Sequence, residues 1–106
     1  MDGSVNIVET IRRYVRIIPD IRGVYGFGSF FRSMTAHDID LVILVRPTTK
    51  KLQTLHREIH LLFMRVEKKI QFPIDVLILT NEELKNAPLS EKNNLITLYQ
   101  NPDHKK

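Results

Sequence analysis

Two runs, residues 39–45 and 74–79, that are apolar throughout once their aspartates are passed stand on either side of a long helical stripe, and this arrangement constrains the fold more than any other feature of the chain. Between the runs, Leu52, Leu55, Ile59, Leu62, Val66 and Ile70 recur at the spacing of one face of an α-helix. The first of these runs, continuous to Val45, implies a strand buried on both faces. Two strands joined by a helical crossover lie parallel in one sheet, as neighbours. Each run is headed by acid: Asp38 and Asp40 at the first, Asp75 at the second. Alternate side chains of a strand share a face, so Asp38 and Asp40 project together. Parallel strands start at the same edge, which brings Asp75 there as well.

The remaining punctuation agrees with this frame. Val8, Ile11, Val15 and Ile18, interleaved with Arg12, Arg13 and Arg16, predict an amphipathic helix over residues 4–17 that stops before Pro19. Val24-Tyr25-Gly26-Phe27 predicts a strand ending at Gly28. Only a short excursion separates Ser29 from Asp38, so the C-terminal end of this strand falls at the acidic edge and the strand runs antiparallel to the next. Thr80 with Glu83 three residues later is a capping box that opens a short helix ending before Pro88. Ser90 is expected to cap a last short helix through Tyr99. The expected architecture is α/β (α+β): a small mixed three-stranded sheet with helices packed on it, forming one domain over residues 1–100, with a flexible basic tail at 101–106.

A chain of 106 residues without cysteine excludes disulfide scaffolds, thiolate metal sites and cysteine nucleophiles. The opening Met1-Asp2-Gly3-Ser4 lacks the basic, then apolar, pattern of a signal peptide, and no run is long enough to span a membrane, so a cytoplasmic location is the expectation. The net charge of +4 favours polyanionic partners. Much of it is spread along the long helix, however, at Lys50, Lys51, Arg57, Arg65, Lys68 and Lys69, as on a solvated face, and this diffuse charge is the sole support for nucleic acid as a partner. His56 and His60 are four apart, but Arg57 stands where a zinc peptidase carries glutamate. Gly23, Gly26 and Gly28 fail the dinucleotide fingerprint, since Phe31 takes the place of its third glycine.

Carboxylates crowded on one edge repel unless a hard cation intervenes, and Mg²⁺ takes oxygen ligands from one or two carboxylates plus substrate phosphates. Three acids suit a pair of metal ions that activate an attacking oxygen and neutralise a leaving pyrophosphate. Gly28 admits close approach of phosphate to the backbone, Ser29 offers hydroxyl and N–H donors, and Arg32, one turn on, offers a charge-assisted contact.

Val24-Tyr25-Gly26-Phe27-Gly28-Ser29-Phe30-Phe31-Arg32, followed by Asp38-Ile39-Asp40-Leu41-Val42-Ile43, resembles the signature of the DNA polymerase β nucleotidyltransferase superfamily, in particular its minimal nucleotidyltransferases (MNT). Ser33 and His37 depart from the pattern, at the positions where the family favours glycine and a small polar residue. The resemblance implies a nucleotidyltransferase fold in which Asp38, Asp40 and Asp75 bind metal and carry catalysis while Gly28, Ser29 and Arg32 hold nucleotide. It implies transfer of a nucleoside monophosphate, AMP from ATP, to a hydroxyl, with Mg²⁺ as cofactor. It further implies an antitoxin paired with an HEPN-type RNase toxin that is silenced by AMPylation of a tyrosine; one domain leaves no room to bind an acceptor of its own. The alternative is a catalytically weak or inactive module that binds a partner protein or nucleic acid.

Overall fold

A computed structural model describes residues 3–27, 39–47, 50–86 and 95–101. The elements, in chain order, are α1 (Gly3–Val15), β1 (Ile21–Phe27), β2 (Ile39–Val45), α2 (Leu52–Ile70), β3 (Ile74–Thr80), α3 (Asn81–Asn86) and β4 (Leu95–Gln100). Helix α1 tightens as it ends: the amides of Ile17 and Ile18 reach back only three residues, to the carbonyls of Tyr14 at 3.1 Å and Val15 at 3.2 Å. Pro19, which cannot donate, follows. Helix α2 ends when Gln71 turns left-handed (φ 60°, ψ 48°) and its amide bonds to the Glu67 carbonyl at 2.7 Å. The capping box at α3 forms as expected, with the Glu83 amide on Thr80 Oγ1 at 3.2 Å and the Thr80 amide on Glu83 Oε1 at 2.9 Å.

The described strands form one sheet in the order β3-β2-β1-β4. Strands β2 and β3 are parallel, joined through α2, and β1 runs antiparallel to both β2 and β4. The first three strands keep the expected directions. The expectation of a three-stranded sheet and of a last helix capped by Ser90 is corrected, because residues 95–100 are a fourth strand along the free edge of β1. Its Leu95, Thr97 and Tyr99 pair with Phe27, Tyr25 and Val24. That partner is distant in sequence, and neither strand alone reports it. Asn101 extends the contact through its amide to the Arg22 carbonyl at 2.8 Å; residues 102–106 of the expected tail lie outside the described residues.

One sheet face is covered. Ile11 and Val15 of α1 and Leu55, Ile59 and Val66 of α2 are fully buried with Ile21, Val24, Ile39, Leu41 and Ile43 in a single apolar cluster. At about 25 cal/mol per Å² of apolar area removed from water, each such side chain stabilises the fold by roughly 1.5–3 kcal/mol before its entropy cost. Two polar ties fix the layers laterally: Arg12 Nε donates to the Leu98 carbonyl at 2.7 Å, binding α1 to β4. Lys50 bridges Asp20 at 3.3 Å and Glu58 at 2.8 Å, joining the loop before β1 to α2. No helix among the described residues is long and apolar enough to cross a membrane.

Candidate functional site

The strand heads expected to carry the chemistry come together. Ile39 pairs with Ile74 and Asp40 with Asp75 in the parallel register, so the two carboxylates stand side by side on adjacent strands. Neighbouring strands lie about 4.8 Å apart, close enough for both side chains to share one cation. The flanking isoleucines point the other way, into the core, with Ile39 at 0% and Ile74 at 9% exposure. Strict alternation therefore aims Asp40 and Asp75 at the opposite face, and both are exposed. Burying Ile39 and Ile74 against the helices is what presents the acids to solvent.

Two interactions hold this edge in place. The Ile39 amide donates to the Pro73 carbonyl at 2.9 Å, which pins the first ladder rung between β2 and β3. The Ile74 amide donates to Glu67 Oε2 at 2.6 Å, tying the start of β3 to the last turn of α2. Such charge-assisted bonds are short and roughly twice as strong as neutral ones. Asp75 is thus positioned by a carboxylate on the preceding helix. On the same face, β1 pairs Gly26 with Leu41, and the next step of that antiparallel register brings Phe27 level with Asp40. Sequence reasoning missed Glu67 and placed Phe27 only within its strand; neither residue has a local pattern that distinguishes it.

Behind the acids the same face is apolar, with Val42 and Leu44 buried and Leu77 exposed. Tyr25, paired with Val42, lies over Gly23, where an added Cβ would meet its hydroxyl at 2.8 Å. The acids sit at the N-terminal ends of β2 and β3, whereas open parallel sheets place ligands beyond the C-terminal ends of their strands. Antiparallel β1 accounts for the inversion, because its own C-terminal end at Phe27 reaches this edge. Gly28, Ser29, Arg32 and Asp38, expected in the site, lie outside the described residues. Among the described residues no group of three or more His, Cys, Asp or Glu side chains is placed to hold a metal ion. The pair Asp40 and Asp75 is a hard-oxygen donor set suited to Mg²⁺ completed by water and phosphate. His56 and His60 are on α2, away from this edge. A cleft of about 370 Å³ lined by Ile17, Pro19, Leu61 and Arg65 lies on the helical side instead.

No family profile matches the sequence, and no curated protein does. Solved structures do match: the chain has an MNT-like nucleotidyltransferase fold. It is similar to the MNT antitoxin in complex with tri-AMPylated HEPN toxin of Shewanella oneidensis, with a TM-score of 0.59 and 17% identity over 94% of this chain and 74% of that one. It is also similar to a candidate nucleotidyltransferase from Sulfolobus solfataricus, with a TM-score of 0.53 and 16% identity over 92% of this chain and 84% of that one.

Proposed function

We propose that the chain is a Mg²⁺-dependent nucleotidyltransferase that moves AMP from ATP onto a hydroxyl of a partner protein in the cytoplasm, and that this partner is an HEPN-type toxin for which the chain is the antitoxin. The observation that carries the reading is the register of Asp40 with Asp75 at the head of two parallel strands in a nucleotidyltransferase fold. The partner rests on the likeness to an antitoxin seen in complex with its AMPylated toxin.

Asp38, Asp40 and Asp75 would hold Mg²⁺, which would supply charge to offset the phosphates and to favour ionisation of the attacking hydroxyl. Gly28 and Ser29 would offer backbone and hydroxyl donors to phosphate oxygens, and Arg32 would add a guanidinium contact. Asp75 takes the proton of the acceptor hydroxyl through its carboxylate. The hydroxyl oxygen bonds to the α-phosphorus, the bond from that phosphorus to the bridging oxygen breaks, and pyrophosphate leaves.

The test is incubation of the full chain with α-phosphate-labelled ATP, Mg²⁺ and the candidate toxin. Label is expected on a toxin hydroxyl with the wild type and is expected to fall to background with Asp40→Asn and with Asp75→Asn. Absence of label with the wild type, alongside partner binding undiminished by Asp38→Ala, would reduce the chain to a binding module and overturn the enzymatic reading.

A further inference from the structure

Strand β3 is an outer strand of the described sheet, and its hydrogen-bonding parity reveals a stretch that no described residue fills. The Ile39 amide takes the Pro73 carbonyl, so with Ile39 level with Ile74 the backbone groups of Asp75, Leu77 and Leu79 turn toward β2. Those of Ile74, Val76, Ile78 and Thr80 turn outward. The two ends of this outer row are closed: Glu67 takes the Ile74 amide at 2.6 Å and Glu83 takes the Thr80 amide at 2.9 Å. Between them, the outward N–H and C=O groups of Val76 and Ile78 meet no partner among the described residues. Leu77, midway, is 47% exposed.

The opposite edge contrasts with this one. On β4 the register slips at Leu98, and that residue's carbonyl is taken by Arg12 at 2.7 Å. A bulge and a covering charge are the usual means by which an edge strand is kept from pairing. Strand β3 keeps an unshifted register with β2, its charged covers are confined to the Glu67 and Glu83 caps at its two ends, and although the chain carries a net charge of +4, β3 contains no Lys or Arg.

We propose that this edge is a self-association surface, filled by β3 of a second copy running antiparallel about a two-fold axis at Leu77. The open stretch is its own complement: Val76 faces Ile78 of the second copy and the reverse, so the N–H and C=O groups of both residues find partners, while the outward Ile74 carbonyl faces the capped Thr80 amide and stays outside the ladder. Leu77 stacks on its equivalent in the closely spaced, non-hydrogen-bonded pair, which covers its exposed side chain. Asp75 falls opposite Leu79 of the second copy, not opposite its own equivalent, whereas the Glu67 cap of each copy falls opposite the Glu83 cap of the other, so the ladder ends at these two carboxylate pairs and added salt favours it. The pairing is isologous and closes as a dimer. It joins two sheets into one, with both pairs of acids on the same continuous face. A ladder this short belongs to the small class of interfaces, so the dimer forms in a concentration-dependent way. This inference stands independently of the enzymatic reading.

Sedimentation equilibrium of the full chain from micromolar to millimolar concentration tests it. A monomer–dimer equilibrium is expected for the wild type. Dimerisation is expected to be lost with Leu77→Lys, which sets two ammonium groups together at the axis, and retained with Ile17→Lys, at an apolar residue that is 65% exposed elsewhere. Amide exchange gives a readout that needs no variant: Val76 and Ile78 are expected to gain protection with concentration while amides of other strands do not. A wild type that is monomeric throughout overturns the proposal, even if β3 then binds an extended segment of another protein. So does a dimer that survives Leu77→Lys with Val76 and Ile78 exchanging at a concentration-independent rate.

Discussion

Replacing Asp75 with asparagine is expected to have opposite effects on stability in the absence and presence of Mg²⁺. Asp40 and Asp75 occupy paired positions on neighbouring strands. Unit charges about 5 Å apart repel by about 0.8 kcal/mol in water. At physiological ionic strength, with a Debye length of about 8 Å, roughly half of that remains. Without divalent ions, Asp75→Asn is therefore expected to stabilise the chain by about 0.4 kcal/mol, which in a domain of this size raises Tm by about 2–3 °C. Mg²⁺ reverses the ranking. At about ten times its dissociation constant a ligand specific to the folded state adds about 1.4 kcal/mol, or about 6–10 °C. The wild type is expected to gain that shift and the variant to gain little of it. Thermal melts followed by far-ultraviolet circular dichroism, in chelator and in a Mg²⁺ titration, measure both effects. A variant that melts below the wild type in chelator, or that gains the same Mg²⁺ shift, would refute the reasoning.

Three further outcomes follow from the packing. Gln71 holds a left-handed conformation at the end of α2, where glycine carries no Cβ penalty, so Gln71→Gly is expected to raise unfolding free energy by about 1 kcal/mol in urea titrations. At Gly23 an added Cβ would meet the Tyr25 ring at 2.9 Å; Gly23→Ala is expected to cost about 1–2 kcal/mol and to alter tyrosine fluorescence as the ring moves off. The pKa of Lys50 is raised, chiefly by its hydrogen bond to Glu58 and further by Asp20, against a lowering by desolvation. A pKa raised by folding contributes stability that is complete below the unfolded value and is lost as pH climbs through the folded one. The urea midpoint of Lys50→Gln is therefore expected to lie below that of the wild type at neutral pH, with the gap closing in strong alkali.

The parts of the fold legible in sequence were those whose signals are local or follow from chain direction. The apolar run of β2 has the expected bounds, because continuous burial needs no partner to be recognised. The α2 stripe and the Thr80 and Glu83 capping box are equally self-contained. The meeting of Asp40 with Asp75 was legible at one remove: a helical crossover implies parallel neighbours, and parallel neighbours start together. Their same-level register was not, since it depends on the Pro73 carbonyl receiving the Ile39 amide.

Strand β4 escaped for a different reason. Leu95, Leu98 and Tyr99 fall at three- and four-residue spacings that suit a helix, and the choice was made by the free edge of β1, distant in sequence. The register shifts beside Arg22 and Leu98 likewise exist only once two strands are paired. Glu67 gave no sign of its role because a carboxylate in the last turn of a basic helix reads as solvated. Only the fold returns the start of β3 to its side.

Paramagnetic broadening of amide resonances by Mn²⁺, a substitute for Mg²⁺ at carboxylate sites, tests the central claim most directly. In a 12.4 kDa chain every strand amide can be followed. At substoichiometric Mn²⁺ with ATP, the account expects Asp40, Leu41, Asp75 and Val76 to broaden first and Asp75→Asn to abolish the effect. Broadening centred on His56 and His60, or a wild-type pattern that survives Asp75→Asn, would contradict it.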